Sequence, residues 1–110
     1  MDIREYQFKA ERTINTNLNS REHISNLVIG ANGEIGEVTD IIKKVLYHGH
    51  KMDTEELSKE IGDVMWYLTN IATFYGLSMN KILDENIKKL EERYPDGFSE
   101  IKSITRKEYK

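Results

Sequence analysis

Two short acidic motifs, each inside a stretch with helical apolar spacing, constrain this chain more than any other feature. The first is GEIGE at residues 33–37, and the second is KEIGD at residues 59–63. In each motif two carboxylates lie three residues apart, which on an α-helix means about 60° around the axis and about 4.5 Å along it. If the two helices pack together, four carboxylates converge on one small volume. Like charges that close destabilise a fold unless protons or a cation neutralise them.

The donor set predicts a site for a hard divalent cation. Oxygen ligands without cysteine or histidine favour Mg²⁺, with Mn²⁺ as the alternative. We therefore expect the metal ligands to be Glu34, Glu37, Glu60 and Asp63. Glu34 is the most informative of them, because it occupies a stripe position where leucine would be expected. The competing interpretation is two solvated helix faces that carry ordinary acidic residues.

The sequence motifs of several other kinds of functional site are absent from the chain. Neither motif contains the Glu-x-x-His pair of ferritin-like di-iron proteins. The phosphate-binding sequence GxxxxGK[ST] is absent as well. With no cysteine, the chain cannot form a disulfide or a zinc–thiolate site.

The length and the net charge of the chain limit the classes of protein to which it can belong. The 110 residues predict one domain with one core, and the net charge of −3 argues against a nucleic-acid-binding surface. The sequence has no apolar run of membrane-spanning length and no signal peptide, so we expect a cytoplasmic protein without a membrane partner.

A single proline and many strong helix formers predict an all-α fold, a bundle of four to five helices. The spacing predicts helices over about 2–13, 21–47, 54–75 and 79–94, with Gly76 ending the third helix and Ser78 capping the fourth. We expect two of these helices to bury apolar stripes, formed by Leu57, Ile61, Val64, Leu68 and Ile71 on the third and by Ile82, Leu83, Ile87 and Leu90 on the fourth.

The glycines of the second helix, Gly30, Gly33 and Gly36, weaken it intrinsically. They indicate either close packing of helices or room for a ligand against the backbone, and the sequence leaves both open. His48 and His50, which flank Gly49, are better explained as a solvated loop than as metal ligands, because no pattern defines their geometry.

Three blocks in order, GExGE at 33–37, ExGDVxWYL at 60–68 and NxxKLxxRYPxGF at 86–98, closely resemble the MazG-like nucleoside triphosphate pyrophosphohydrolases. These enzymes belong to the all-α NTP pyrophosphatase superfamily. The resemblance covers about residues 24–99 and is to the short single-domain form. It implies one MazG-like domain over residues 1–99, followed by a charged tail over residues 100–110.

The resemblance implies cleavage of a nucleoside triphosphate between the α- and β-phosphates, with Mg²⁺ on the same four carboxylates. By the same resemblance, Glu37 and Lys89 would be catalytic. Asn86, Lys89 and Arg93 would bind the substrate phosphates, and Trp66 would stack on the base. Core packing is an equal explanation for Trp66, and so is a salt bridge for Arg93.

The resemblance further implies a homodimer or homotetramer with sites near the subunit interface. Tyr6, Gln7 and Phe8 of the first helix would close over the base. In the tail, Lys102, Arg106 and Lys107 would either approach a phosphate or be solvated. The alternative function is a catalytically silent relative that binds a nucleotide or a protein and acts as a regulator. A plain helical oligomer with surface acids is the third possibility.

Overall fold

The computed structural model describes residues 1–105, and within them the fold is all-α. The five helices are α1 (Ile3–Glu11), α2 (Ser20–Tyr47), α3 (Thr54–Phe74), α4 (Met79–Arg93) and α5 (Glu100–Thr105). The main packing is α2 against α3, and α1 contacts both α3 and α4. No helix within residues 1–105 is long and apolar enough to cross a membrane.

Local sequence signals account for most helix boundaries. The side chain of Asp53 accepts hydrogen bonds from the first turn of α3, and Ser78 does the same for α4. Gly76 separates these helices with a φ of +71°, a conformation that glycine adopts without strain. Helix α2 begins at Ser20, one residue before its predicted start. The cause is a capping box in which Asn19 and Glu22 each accept the other's backbone N–H.

The α2–α3 hairpin depends on a close approach at one glycine. Gly30 lies directly against the ring of Tyr67, and a Cβ at residue 30 would overlap the ring carbons. Leu27 and Ala31, on either side of this contact, are buried. Of the two explanations for the glycines, close helix packing is therefore correct for Gly30. Gly33 and Gly36 differ, since a Cβ at either position would meet no atom within 4 Å.

Helix α1 is attached through the side chain of Gln7. Its Nε2 donates to Thr73 Oγ1 and to the Leu77 carbonyl oxygen, both at 2.9 Å. Its Oε1 accepts from the backbone N–H of Met79 at 2.8 Å. Both amide hydrogens are in use, so Gln7 joins α1 to the α3–α4 corner. Its approach to a base stays a prediction.

Much of the expected core is exposed in the single chain. On α3, Ile61 and Leu68 are 50% and 42% exposed, so the predicted stripe is buried only in part. The stripe of α4 is exposed as well, at Ile82, Leu83, Ile87 and Leu90. The prediction of burial was wrong for these residues, because helical periodicity identifies an apolar face without supplying the element that covers it.

Six of the uncovered residues of the hairpin follow a regular pattern. They recur every seven residues, at Val28, Ile35 and Ile42 on α2, at Ile61 and Leu68 on α3, and at Tyr75, the C-cap of α3. Since α2 and α3 are antiparallel and face each other through Gly30 and Tyr67, helical geometry puts both stripes on the same side of the hairpin. We call these six residues the apolar face.

The first residues of the tail form α5, on which Ile101 and Ile104 are exposed. Lys102 lies on this helix, and its backbone N–H is bonded to Ser99 Oγ at 3.3 Å. Arg106 and Lys107 lie outside the described residues.

The contact between Gly30 and Tyr67 leads to a stability prediction. We expect Gly30→Ala to lower the free energy of unfolding by about 1–3 kcal/mol, as overpacking typically does. Gly33→Ala is the matched control. It lies one turn away in open space, so it should leave stability unchanged or raise it by up to about 1 kcal/mol. Urea denaturation followed by circular dichroism measures both. Equal effects of the two variants would contradict the packing explanation.

Candidate metal centre

Three of the four predicted carboxylates meet between α2 and α3. Glu34, Glu60 and Asp63 each offer an oxygen, and the three oxygens lie within 4.8 Å of one another. Glu34 and Glu60 are half-buried, whereas Asp63 is exposed. We call these residues the acidic trio. Its donors are all carboxylate oxygens, and their separation fits a single hard divalent cation that would bridge both helices.

The three carboxylates of the trio repel one another. The pKa of Glu60 is raised, chiefly by a carboxyl–carboxyl hydrogen bond to Glu34, then by desolvation, and further by the negative charges of Glu34 and Asp63. A bound cation would relieve the same repulsion without a proton. A shared proton and a bound cation would therefore each reduce the negative charge of the trio.

Glu37 lies one turn further along α2 and is not part of the trio. Its side chain lines a cavity of about 300 Å³ that lies between the C-terminal part of α2 and the start of α3. Lys44 also lines the cavity, and its Nζ lies 2.8 Å from Asp40 Oδ2. The pKa of Lys44 is raised, first by this hydrogen bond and then by the charge of Asp40, with smaller contributions from Glu37 and Glu56. Lys44 thus lies among the carboxylates of this end of the hairpin.

Comparison with known proteins identifies the family. The model of the MazG nucleotide pyrophosphohydrolase domain matches residues 22–98, which contain the trio, Glu37 and the whole of α4. The chain belongs to this family. It is also 33% identical over 82 residues to the Gene 37 protein of Mycobacterium phage L5, a match that covers 71% of this chain and 72% of the phage protein. No solved structure matches the chain.

Helix α1 precedes the residues that match the MazG model, and its side chain Tyr6 lies near the trio. The pKa of Tyr6 on α1 is raised, first by burial and then by the negative charge of Asp63, so its phenol lies within electrostatic range of the trio. From the sequence we expect Tyr6 to lie near the substrate base. Its position near Asp63 is compatible with a role at the site.

Trp66, the residue expected to stack on a base, lies where α1 meets α3. Its Nε1 donates to Thr13 Oγ1 at 2.7 Å, and its ring meets Tyr67 edge-on with centroids 4.9 Å apart. Trp66 remains half-buried, so part of its surface is available. The hydrogen bond holds the segment that follows α1 against α3, the helix that carries Asp63.

The residues that the MazG resemblance implies for phosphate binding lie on α4. Asn86 is exposed, Lys89 and Arg93 are half-buried, and the Arg93 guanidinium lies 5.9 Å from the centroid of the Tyr94 ring. Helix α4 packs against α1, which in turn packs against α3. The structure therefore brings Glu34, Glu60 and Asp63 together directly, whereas α4 is joined to this hairpin mainly through α1.

Two residues near the site were not singled out from the sequence. Asp40 holds both Lys43 and Lys44, at 3.6 Å and 2.8 Å, and Glu56 lines the cavity from α3. Asp40 could have been identified from the sequence, because helical spacing puts Glu37, Asp40 and Lys44 on one face of α2. No local pattern in the sequence marks Glu56 as a residue that lines the cavity.

The raised pKa of Glu60 predicts how stability depends on pH. The folded state holds this proton more tightly than the unfolded chain does. The stabilisation is therefore fully present below the ordinary glutamate range and is lost as the pH rises through the raised value. We expect metal-free Glu60→Gln to melt at a higher temperature than the unsubstituted chain at pH 8.

The same variant should lose the rise in melting temperature that Mg²⁺ causes in the unsubstituted chain. Differential scanning fluorimetry with and without MgCl₂ measures both effects, and Glu91→Gln on the exposed side of α4 is the control. A Glu60→Gln chain that melts lower and still responds to Mg²⁺ would contradict the assignment of the trio.

Proposed function

We propose that this chain is a Mg²⁺-dependent nucleoside triphosphate pyrophosphohydrolase. It hydrolyses nucleoside or deoxynucleoside triphosphates at the α–β phosphate bond and releases the monophosphate and pyrophosphate, a reaction suited to removing unwanted nucleotides from the pool. Residues 1–99 form the catalytic domain and residues 100–110 a tail. We place the reaction in the cytoplasm, where nucleoside triphosphates are made and used.

The convergence of Glu34, Glu60 and Asp63 within 4.8 Å is the observation that supports this proposal most. A triphosphate carries several negative charges, and carboxylates alone would repel it. When bound, Mg²⁺ (or Mn²⁺) would supply positive charge at the trio and polarise the phosphate oxygens. The chemistry of the residues and the MazG family match thus agree.

The remaining roles belong to side chains of this chain. Glu37, one turn from the trio and open to solvent, would complete the set of metal ligands. Its carboxylate orients the attacking water and accepts its proton. Lys89 contributes a compact positive charge to the departing pyrophosphate, and Asn86 a neutral donor. Arg93 adds a second cation on the same helix. The exposed part of Trp66 offers an aromatic surface to the base.

A second copy of the chain completes the fold in this proposal. The apolar face repeats every seven residues on two adjacent antiparallel helices, which is the spacing by which helices pack in bundles. Pairing two such faces forms a four-helix core in a homodimer, and two dimers can form a tetramer. The α4 residues of one subunit can then approach the trio of the other.

The test of the reaction is a product analysis. We expect the purified chain to convert members of a panel of canonical NTPs and dNTPs, with MgCl₂, into monophosphate and pyrophosphate resolved by ion-exchange chromatography. Glu37→Gln should lower the rate at least about 100-fold, as loss of a catalytic base typically does. Glu91→Gln is the control. Diphosphate and orthophosphate as products would refute the proposed bond. Mg²⁺-dependent binding without turnover would favour the regulatory alternative.

The test of the assembly is light scattering at micromolar concentration. We expect a dimer or tetramer for the unsubstituted chain and a monomer for Leu68→Lys, which puts a charge in the middle of the apolar face. Tyr47→Lys is the control, since Tyr47 is 78% exposed but lies outside that face. A monomeric unsubstituted chain, or equal behaviour of the two variants, would show that this face does not pair.

A further inference from the structure

The side-chain amide of Gln7 bridges the backbone on both sides of Ser78, the N-cap of α4. Its Nε2 donates to the Leu77 carbonyl oxygen at 2.9 Å, and its Oε1 accepts from the backbone N–H of Met79 at 2.8 Å. Between these two groups Ser78 is extended, with a φ of −91° and a ψ of 121°. Gln7 therefore holds this backbone as a peptide group of a neighbouring β-strand would.

The orientation of the Gln7 amide follows from its partners. A carbonyl oxygen can only accept and a backbone N–H can only donate, so Nε2 faces Leu77 and Oε1 faces Met79. The second hydrogen of Nε2 goes to Thr73 Oγ1 at 2.9 Å, and the Thr73 hydroxyl itself donates to the Thr69 carbonyl oxygen at 3.2 Å. One side chain thus ties α1 to the last turn of α3 and to the first residue of α4.

Few other contacts set the direction in which α4 leaves the corner. The end of α3 is fixed as far as Leu77, whose N–H donates to the Ala72 carbonyl oxygen at 2.8 Å in the turn around Gly76. Beyond that turn, the main packing contact of α4 in the described part of the chain is with α1, and Met79 is the one residue of α4 that is buried. Within the α1 contact, the Gln7 bridge is the part that reaches the backbone.

The direction of α4 matters because this helix carries Asn86 and Lys89, to which the proposed function gives roles at the phosphates. Lys89 lies about ten residues beyond Met79, which is about 15 Å along the helix axis. A rotation of about 10° at Ser78 would therefore move the backbone of Lys89 by about 2.5 Å. Misplacing a catalytic group by about 1 Å can lower a rate about 100-fold.

We propose that Gln7 is a positioning residue for the hydrolysis: it fixes the direction of α4 and thereby the position of Asn86 and Lys89 relative to the acidic trio. The inference rests on the proposed function and extends it to a residue of α1, outside the residues that match the MazG model. Gln7 touches neither the metal nor the phosphates in this arrangement. It acts through the backbone groups of Leu77 and Met79.

The first measurement follows the position of α4 and needs no turnover. Because the chain has no cysteine, Ser58→Cys on α3 and Glu92→Cys on α4, both at exposed positions, each take one spin label. Double electron–electron resonance then measures the distance between the two labels. The labelled chain is diluted with unlabelled chain, so that labels in different subunits do not contribute.

Two variants separate the bridge from the attachment of α1. Gln7→Met has nearly the shape of glutamine and removes all three hydrogen bonds of the amide. Thr73→Val is the matched control, since it removes the bond of Nε2 to α3 and keeps the bonds on both sides of Ser78. Circular dichroism melts show the temperature range in which each variant is folded, and all measurements are made within it.

We expect Gln7→Met to shift or broaden the distance distribution by about 3 Å, the displacement at residue 92 that a rotation of about 10° at Ser78 causes. Thr73→Val should leave the distribution as it is in the unsubstituted chain. An unchanged distribution in Gln7→Met, or an equal change in both variants, would overturn the inference.

The second measurement is the rate of triphosphate hydrolysis in MgCl₂ by the same variants. Gln7→Met should lower kcat about tenfold or more, whereas KM should change by less than about threefold. The rise in melting temperature with Mg²⁺ should persist, because the trio lies on α2 and α3. An unchanged kcat would overturn the inference. So would a KM that rises for some bases and not for others, because Gln7 would then contact the base.

The two proposals fail separately. A chain that hydrolyses triphosphates at the same kcat with and without the Gln7 bridge retains the proposed function and loses the positioning role. A chain that hydrolyses no triphosphate loses the proposed function, and the label distances still decide whether Gln7 sets the direction of α4.

Discussion

The close packing of α2 on α3 is the constraint from which the rest of the structure follows. Gly30 allows the Tyr67 ring to lie directly on the α2 backbone, and this contact sets both the distance and the register of the two helices. One turn further along α2, the same register brings Glu34 opposite Glu60 and Asp63. A larger residue at position 30 would separate the helices where the carboxylates must converge, so packing and site geometry depend on the same contact.

The acidic trio makes the hairpin less stable than an apolar contact would. Glu60 keeps its proton more readily than an ordinary glutamate because Glu34 and Asp63 lie beside it. Such repulsion is tolerated in a fold when a ligand relieves it, and pKa perturbation of this kind is concentrated at functional sites. The open space beside Gly33 and Gly36, next to the same carboxylates, is consistent with a ligand that approaches the backbone.

Helix α1 connects the site to the remainder of the chain. Gln7 joins it to the α3–α4 corner, and Thr13 receives the indole hydrogen of Trp66. Tyr6, which precedes Gln7 on α1, lies within electrostatic range of Asp63. Tertiary packing thereby brings Tyr6 into the surroundings of the trio. No local pattern in the sequence marks this residue, because α1 has no recognisable motif.

The sequence by itself determined the all-α class, the capping residue Ser78, the break at Gly76 and the three carboxylates that meet at the candidate site. These features depend on contacts within a few residues or on helical periodicity, and both can be read from a linear chain. The resemblance of three ordered blocks to MazG-like enzymes also came from the sequence, and the match over residues 22–98 confirms it.

Only the tertiary structure decided which faces meet. Periodicity showed that Glu34 and Glu37 share one side of α2, but not that Glu34 enters the trio while Glu37 lines a cavity beside Lys44. It could not separate Gly30, which a ring covers, from Gly33, which is open. It also could not show that Leu68 stays exposed, because the period of a helix identifies a face and says nothing about the element that packs against it.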